Sequence, residues 1–266
     1  MKPSNLIIGS SSQIANYLPK EDFFKVNSRN FSMSDIEGEW DTAILAFGEN
    51  RKFLGEYLNY KIINIDLTFR VLEFLVPRCK KIIVFSTCEL WNKCSGPVDI
   101  ETPMDFYETY YTRSKFEMTN KIIEYNEVYP NVHIIYPFNF NSVYRTSDFL
   151  FGKIFNSIIE NKKISIGDTY YYRDIFHPNF MVSEMMKAEG HQIVGSGRLT
   201  HVNDFIRNLY DFFGRDYEEL VTENLDSFKE YDIKYEYYLK SKKAFYTYDQ
   251  LFSDTINDLK LKLNGK

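Results

Sequence analysis

Tyr111 and Lys115 are the two residues whose types and spacing point most directly to chemistry. A tyrosine four residues before a lysine on a helix places both side chains on one face, one turn apart. An ammonium group beside a phenol stabilises the phenolate, so we expect the pKa of Tyr111 to fall from about 10 towards neutrality. A tyrosine tuned in this way exchanges a proton with a substrate hydroxyl or carbonyl. The same spacing also occurs on solvated helix faces, so its meaning depends on the surrounding elements.

A polar segment follows the apolar run at 81–85 and contains Ser86, Thr87, Cys88 and Glu89. In open α/β sheets, ligands bind beyond the carboxyl ends of the strands. Thr87 is therefore the first candidate for a hydroxyl that hydrogen-bonds a substrate oxygen near the tyrosine, and Ser86 is the second. Glu89 is a further candidate acid or base. Cys88 is either a reactive thiol or a plain buried cysteine, and burial is the commoner role of this residue type.

The turn after the first apolar run has small residues at the places where a dinucleotide-binding unit needs them. Small residues let the backbone approach a pyrophosphate, and the following helix N-terminus supplies N–H groups and a positive dipole end. The three places hold Gly9, Ser12 and Ala15, of which one is glycine, so an ordinary βα turn is the alternative. The residues of this turn expected to contact a cofactor are Gly9, Ser11, Ser12, Gln13 and Ile14.

The second predicted strand ends at Asn27-Ser28-Arg29. An Asp or Glu here would bind the adenosine ribose hydroxyls of NAD. Ser28 and Arg29 suit a 2′-phosphate instead, because a guanidinium pairs with phosphate. The segment therefore favours NADP(H) over NAD(H), and the alternative is an ordinary surface arginine.

Strands and helices alternate through the first half of the chain. Apolar runs predict strands at 6–8, 23–26, 42–47, 81–86 and 132–136, and helical patterns cover 13–18, 59–75 and 107–129. Runs that are apolar throughout, separated by helices, are typical of a parallel sheet covered on both faces. The sequence thus predicts an α/β protein with a doubly wound parallel sheet.

The pattern changes beyond about residue 145. Short helices are predicted at 150–160 and 202–213, and isolated short strands at 163–166 and 192–194. The tail from about residue 216 is charged, with weak apolar spacing. We therefore expect a sheet domain over 1–145 and a smaller region over 146–266 that packs on the sheet and is interleaved with its late strands.

Composition narrows the class of protein. The 266 residues are 44% hydrophobic and 26% charged, which is normal for a soluble globular protein, and the net charge of −5 argues against general nucleic-acid binding. No run of about 18 apolar residues predicts a membrane span, and the N-terminus lacks the layout of a signal peptide. Cys79, Cys88 and Cys94 form no zinc or disulfide pattern, so we expect no metal site and a reduced, cytoplasmic setting.

In this order, the motifs resemble the extended short-chain dehydrogenase/reductase family, in the branch that acts on nucleotide sugars. The resemblance extends over about residues 6–215. The matching stretches are 9–15, Asn64-Ile65-Asp66-Leu67-Thr68, 85–91, 111–115, Pro137-Phe138-Asn139, Tyr172-Arg173-Asp174-Ile175-Phe176-His177 and Val194-Gly195-Ser196-Gly197-Arg198.

The resemblance implies a Rossmann-type domain followed by a small C-terminal substrate-binding region. It implies a catalytic set of Thr87, Tyr111 and Lys115, in which the lysine also holds the nicotinamide ribose hydroxyls. Asn64 would support the helix of the active site. Pro137 would lie on the cofactor side.

The substrate implied by the resemblance is a nucleotide sugar. Asn139 and Arg173 would contact it, the arginine through a phosphate or a ribose. The helices predicted at 59–75 and 107–129 would pair across a homodimer interface.

The stretch around Cys88 departs from the family pattern. Ser-Thr-Cys-Glu looks similar to the Ser-Thr-Asp-Glu or Ser-Thr-Ser-Glu of sugar-nucleotide 4,6-dehydratases, in which the Glu helps to eliminate water. In the first type the Asp helps as well, and Cys88 replaces that Asp, which counts against dehydration by the Asp-type mechanism. A cysteine near this place also resembles the epimerase-reductases that make GDP-fucose, although the alignment needs a gap. The chain is shorter than typical dehydratases and nearer in size to small 4-keto-sugar reductases.

Three hypotheses follow. The first is a reductase that uses NAD(P)H to reduce a nucleotide-linked 4-keto-6-deoxy sugar, with Tyr111 as proton donor. The second is an epimerase or dehydratase that retains its cofactor, and Glu89 is its best support. The third is a Rossmann-fold binding protein that has lost catalysis, which the single glycine at Gly9 favours and the Thr87, Tyr111 and Lys115 set opposes.

Overall fold

A computed structural model of the chain describes residues 3–51, 55–224, 236–240 and 246–265. The chain forms two compact units. The first, here called the sheet unit, consists of Met1–Trp91, Pro103–Pro137 and Val182–Val194. The second unit consists of Asn92–Thr102, Phe138–Met181 and Gly195–Lys266.

The strands, in chain order, are β1 Asn5–Ile8, β2 Phe23–Val26, β3 Trp40–Leu45, β4 Cys79–Phe85, β5 Gly96–Val98, β6 Val132–Pro137, β7 Asn139–Phe140, β8 Ile164–Gly167, β9 Tyr172–Arg173, β10 Ile175–Phe176, β11 Gln192–Val194, β12 Thr200–His201, β13 Val221–Asn224 and β14 Tyr237–Leu239. The α-helices are α1 Tyr57–Tyr60, α2 Leu67–Leu75, α3 Tyr110–Glu124, α4 Leu150–Glu160, α5 Pro178–Lys187, α6 Val202–Phe212, α7 Tyr217–Leu220 and α8 Tyr248–Asn264.

A six-stranded parallel sheet in the order β11-β6-β4-β3-β1-β2 is the core of the sheet unit. Its strands are apolar runs, and Leu6, Ile7 and Ile8 of β1 are fully buried. The predicted parallel α/β fold of the Rossmann type is therefore confirmed. The chain order reverses between β1 and β3, and such a switch point is where open sheets of this kind bind ligands, beyond the carboxyl ends of the strands.

The sixth strand of this sheet comes from late in the chain. The run at 192–194, predicted as an isolated strand of the C-terminal region, pairs with β6 in parallel, with Ile193 opposite Tyr136. Three residues carry no signal for their pairing partner, so the sequence alone did not assign this strand to β6. Ile193 and Val194 are buried in the sheet.

The helix predicted at 59–75 is present, with an irregularity that its apolar period did not reveal. It runs from α1 through the π-helical segment Lys61–Asp66 into α2. Helix α3 is shorter than the predicted 107–129, because Thr109 caps its start and the helix ends before Tyr125. The helix predicted at 13–18 is a single 3-10 turn, Ile14–Asn16.

The second unit contains helix α8, which the sequence reasoning missed. Its buried positions include Leu251, Thr255, Ile256 and Leu259, a spacing near the helical period that the charged residues between them obscure. Within the described ranges, no helix combines the length and apolar character needed to span a bilayer. Those ranges also hold no group of three or more His, Cys, Asp or Glu side chains arranged for a metal ion.

Candidate functional site

Helix α3 carries both residues of the Tyr/Lys pair. Its start is set by a capping box, in which the Thr109 hydroxyl accepts from the Thr112 N–H at 3.1 Å and the Thr112 hydroxyl accepts from the Thr109 N–H at 2.8 Å. Tyr111 is 8% exposed and Lys115 is 6% exposed. The pair therefore lies on the buried face of α3, one turn apart, and not on a solvated face.

The Lys115 ammonium lies at the carboxyl end of the sheet. Its Nζ donates to the carbonyl oxygen of Phe85, the last residue of β4, at 2.7 Å. Burial disfavours the charged form and lowers the pKa of Lys115 from 10.5 to about 8. An ammonium has three N–H donors, and the carbonyl of Phe85 is its only hydrogen-bond acceptor among the described residues. Two donors are thus left for a ligand.

The turn that follows β4 holds the other candidate catalytic residues. The Thr87 hydroxyl oxygen accepts from the Glu89 N–H at 3.2 Å at the start of the 3-10 turn Cys88–Trp91. Because that oxygen accepts here, its own proton is still available for donation. Glu89 is half-buried and Cys88 is buried.

Ser86, the second-choice substrate residue, is bonded within the sheet unit. It is 3% exposed, and its hydroxyl lies 2.8 Å from that of Thr119 on α3. This contact ties β4 to the helix that carries the Tyr/Lys pair. The geometry favours a packing role for Ser86 over contact with a substrate.

Asn64 lies in the π-helical segment and is 1% exposed. Its amide nitrogen donates to the Glu49 carbonyl at 3.0 Å and to the Ser114 hydroxyl at 2.9 Å, and its oxygen accepts from the Glu49 N–H at 2.7 Å. The Ser114 hydroxyl in turn donates to the carbonyl of Tyr111 at 2.8 Å. Asn64 therefore connects the loop after β3 to the backbone of the tyrosine.

Gly48, in the loop after β3, was missed by the sequence reasoning. Its φ is +153°, and a Cβ there would lie 3.1 Å from the Asn64 Oδ1 and 3.4 Å from the Lys115 Nζ. The loop backbone thus passes directly over the lysine. The available signal was a glycine just beyond a buried strand, which often marks close backbone approach.

The turn after β1 has glycine where the backbone is crowded. Gly9 has a φ of +116°, and a Cβ there would lie 2.5 Å from the Ala46 carbonyl oxygen, so only glycine fits. The N–H groups of Gly9 and Ser10 donate to the Val26 carbonyl at 2.8 and 2.9 Å, and Ser12 donates to the Gly9 carbonyl at 2.8 Å. These three donors are used inside the protein.

The remaining N–H donors of this turn belong to Ser11, Gln13 and Ile14, which have no acceptor among the described residues. The Gln13 Oε1 atom is also buried without a partner. The Ser12 hydroxyl accepts from the Ala15 N–H at 3.2 Å and caps the 3-10 turn. A turn of three residues supplies little helix dipole, so the backbone donors, not the dipole, fit an anionic group here.

Arg29 and Ser28 follow β2 at the surface. Arg29 is exposed, its N–H donates to the Asn27 Oδ1 at 2.9 Å, and Ser28 is half-buried. Pro137 is the last residue of β6, at the same edge of the sheet as Phe85. The structure thus brings Thr87, Lys115 and the loop around Gly48 to the carboxyl ends of neighbouring strands, with Arg29 beyond β2.

Asn139 and Arg173 belong to the second unit. Asn139 is exposed at the start of β7, and its N–H donates to the Asp174 carbonyl at 3.2 Å. The Arg173 Nη1 donates to the Tyr172 carbonyl at 2.6 Å, and its guanidinium lies 4.3 Å from the centre of the Tyr171 ring. Strand pairing and the Asp174 backbone hold the two residues in neighbouring segments.

No family model matches the chain, and no curated protein sequence matches it. Solved structures resemble it over nearly its whole length. RMD from Pseudomonas aeruginosa, complexed with NADPH, is 14% identical, with a TM-score of 0.77 over 97% of this chain and 99% of that one. UDP-N-acetylglucosamine 4-epimerase from Methanobrevibacter ruminantium, in complex with UDP-N-acetylmuramic acid, is 14% identical, with a TM-score of 0.78 over 99% and 98%.

A third structure extends the likeness. dTDP-glucose 4,6-dehydratase from Bacillus anthracis, in complex with NAD, is 16% identical, with a TM-score of 0.72 over 97% of each chain. At such low identity the likeness concerns the fold. The chain therefore has the same Rossmann-type α/β fold as these proteins.

Proposed function

We propose that this chain is an NAD(P)-dependent enzyme of the extended short-chain dehydrogenase/reductase family and acts on a nucleotide-linked sugar. Within that class we propose reduction of a 4-keto-6-deoxy sugar. The observation that carries the proposal is the buried Lys115. Among the described residues its Nζ has one acceptor, the carbonyl of Phe85 at 2.7 Å, and it lies one turn from Tyr111 on α3. The fold-level neighbours, which include an epimerase, a dehydratase and an NADPH complex, support the same class.

The residues present fit a dinucleotide in two respects. The Gly9 position admits no Cβ, and the N–H groups of Ser11, Gln13 and Ile14 are available for the pyrophosphate. Arg29, exposed beyond β2, suits a 2′-phosphate and supports a preference for NADP(H). The bound nicotinamide would supply the hydride.

The chain's own residues would handle the proton and the carbonyl. Tyr111 would donate its phenolic proton to the sugar oxygen, and the Thr87 hydroxyl would donate a hydrogen bond to the same oxygen and polarise the carbonyl. The Lys115 ammonium would hold ribose hydroxyls with its two remaining donors and favour the phenolate that Tyr111 leaves. Asn64, through its bond to Ser114, and the loop around Gly48 would hold Lys115 and helix α3 in position.

A second candidate is an epimerase or dehydratase that retains its cofactor. Glu89 favours it, because this half-buried residue, two positions after Thr87, has a carboxyl group of the kind that acts as an acid or base. Copurification of tightly held NAD(H) would favour this candidate, whereas an empty protein with saturable NADPH binding would favour the reductase. Protein that binds neither cofactor would exclude both.

The central experiment replaces Tyr111 with Phe and assays a panel of UDP-, dTDP- and GDP-linked 4-keto-6-deoxy sugars. We expect turnover to fall by about 10²–10⁴-fold, with NADPH affinity nearly unchanged, since the phenol acts on the substrate proton. Tyr110→Phe is the matched control, because Tyr110 is the neighbouring tyrosine and is 50% exposed. Retained turnover in Tyr111→Phe would remove this residue from the mechanism.

The cofactor preference has its own test. Arg29→Ala should weaken NADPH binding about tenfold or more and leave NADH binding nearly unchanged, because only NADPH carries the 2′-phosphate. Equal losses for the two cofactors would show that the assigned preference is wrong.

We also propose a homodimer through the α1–α2 and α3 helices. Leu58 and Ile62, four residues apart, are 55% and 50% exposed. Tyr110, at the start of α3, is 50% exposed, and its ring lies 6.0 and 6.2 Å from those of Tyr57 and Tyr60 on α1. Exposed apolar side chains grouped in this way favour an interaction surface. Leu58→Glu with Ile62→Glu should shift the molar mass measured by light scattering from dimer to monomer. A monomeric wild-type protein would contradict this part of the proposal.

A further inference from the structure

Among the described residues of the second unit, Asp174 is the buried charged side chain with the most completely used hydrogen-bonding capacity. Its side chain is fully buried, and its carboxylate accepts four hydrogen bonds. Oδ1 accepts from the Ser196 N–H and hydroxyl, both at 2.6 Å, and Oδ2 accepts from the Gly197 N–H at 3.1 Å and the Leu239 N–H at 3.0 Å. One side chain thus joins two segments that are distant in sequence.

The backbone of Asp174 serves the two residues proposed to contact the nucleotide sugar. Its carbonyl accepts from the Asn139 N–H at 3.2 Å, and it directly follows Arg173 in the chain. Arg173 in turn pairs with Thr200 of β12, the strand that follows the turn held by the carboxylate. Both proposed substrate contacts are therefore attached to the same residue.

The turn that donates to the Asp174 carboxylate has no space for a side chain at Gly195. A Cβ on Gly195 would lie 2.7 Å from the Asp174 Oδ2 and 3.0 Å from the Leu239 Cβ, so the turn approaches as closely as glycine allows. The turn 195–197 and the stretch around Arg173 are thus bonded to each other through the Asp174 carboxylate.

Leu239 brings a further strand into the arrangement. It ends β14, which pairs in parallel with β5, and the Lys240 N–H donates to the Val98 carbonyl at 2.7 Å. The Lys240 ammonium also lies 2.8 Å from the Asp99 carboxylate. The Asp174 carboxylate therefore fixes the β5–β14 pair as well as the turn.

Two effects act on the ionisation of this carboxyl. Burial raises the pKa of Asp174, and the hydrogen bonds from Ser196, Leu239 and Gly197 partly oppose the rise. The three backbone N–H groups and the Ser196 hydroxyl all donate to this side chain, which favours its ionised form, because a protonated carboxyl would place a donor of its own among them.

We propose that Asp174 is a positioning residue of the nucleotide-sugar site: by holding the turn 195–197 and strand β14 it sets the places of Arg173 and Asn139. The inference rests on the proposed function, which assigns the sugar nucleotide to these two residues. Asp174 acts through its neighbours and does not itself touch the substrate.

The test compares Asp174→Asn with Ser196→Ala in the full-length protein. The amide replaces one acceptor oxygen with an NH₂ group, so two donors lose their acceptor. Ser196→Ala instead removes one donor to the carboxylate, with the hydroxyl's contacts to Arg198, and leaves the three N–H bonds to Asp174 in place. We expect Asp174→Asn to accelerate hydrogen exchange at 195–197 and 236–240 in the absence of ligand. Binding of UDP-glucose and dTDP-glucose should weaken about tenfold or more, with NADPH affinity unchanged, and Ser196→Ala should show a smaller change in the same direction.

Asp258→Asn is the matched control in the same unit. The Asp258 Oδ2 lies 2.9 Å from the Nε2 of the buried His177. Among the described residues, Asp258 makes no hydrogen bond to Arg173 or Asn139. If Asp174→Asn weakens nucleotide-sugar binding no more than Asp258→Asn, or leaves exchange unchanged, the positioning role is overturned. A wild-type protein that binds neither sugar nucleotide overturns the proposed function and this inference with it, whereas normal wild-type binding with an unaffected Asp174→Asn overturns this inference alone.

Discussion

Lys115 of the sheet unit and Asp174 of the second unit are both buried charges, but their hydrogen-bonding capacity is used to different degrees. The Lys115 ammonium donates to one carbonyl, that of Phe85, among the described residues. The Asp174 carboxylate accepts from four donors. A buried polar group costs free energy unless its bonds are made, so the two sites are built for different purposes.

The difference agrees with the proposal that Lys115 meets a ligand and that Asp174 holds its own unit together. Desolvation alone lowers the pKa of Lys115 to about 8, because among the described residues no anion and no further acceptor compensates its burial. At Asp174, burial raises the pKa but the donated bonds oppose the rise. A buried charged group with a strongly shifted pKa and unused hydrogen-bonding capacity is typical of a functional site. A buried charged group whose hydrogen bonds are all made is typical of a structural role.

The largest expected effect comes from Lys115→Met. Turnover should fall by about 10²–10⁴-fold, because the variant loses the charge that stabilises the phenolate of Tyr111. The free energy of unfolding at pH 7 should nevertheless hold or rise by up to about 2 kcal/mol, since relief from desolvation exceeds the loss of one hydrogen bond. Urea denaturation and steady-state assays measure the two quantities.

Asp174→Asn is the comparison for this variant. It should lower the free energy of unfolding, because two buried donors lose their acceptor. If Lys115→Met proves as unstable as Asp174→Asn, the distinction between the two charges fails.

The second prediction concerns pH. The pKa of Lys115 is about 8 in the folded protein and 10.5 in the reference state, so between these values the unfolded chain binds more protons than the folded one. The free energy of unfolding therefore rises with pH between these two values, by about 3 kcal/mol in total from the titration of Lys115. We expect the stability advantage of Lys115→Met over wild type to shrink from pH 8 to pH 10.5. A difference that stays constant over this range would mean that Lys115 titrates normally in the folded protein.

Much of this framework could be predicted from the sequence, because local pattern carries it. Strands such as β1 and β4 are apolar runs, and the spacing of Tyr111 and Lys115 places them on one helical face wherever the helix begins. Gly48 was missed because its importance comes from the Lys115 side chain beneath it, and a glycine just beyond a strand does not show which side chain approaches it.

The hydrogen bonds to the Asp174 carboxylate could not be predicted from the sequence for a similar reason. Its stretch could be matched to a family, but its carboxylate is bonded by the N–H groups of Ser196, Gly197 and Leu239, and backbone donors leave no mark in a sequence. Helix α8 was missed because charged residues interrupt its apolar period. The sequence therefore failed to predict two kinds of feature: hydrogen bonds between residues distant in the chain, and a helix whose apolar period is interrupted by charged residues.

The smallest expected effect tests whether the number of hydrogen bonds that a buried polar side chain makes decides its role, whichever of the two units it belongs to. Asn64 belongs to the sheet unit, as Lys115 does, yet its amide makes three hydrogen bonds, as a fold-holding group should. Asn64→Ala should lower the free energy of unfolding by about 2 kcal/mol, and Ser114→Ala, which removes one of those bonds, by about 1 kcal/mol. Denaturant titration of the two variants beside wild type measures the ratio. If Asn64→Ala lost activity without losing stability, Asn64 would join Lys115 as a ligand-facing group, and counting satisfied bonds would no longer distinguish the two kinds of buried polar residue.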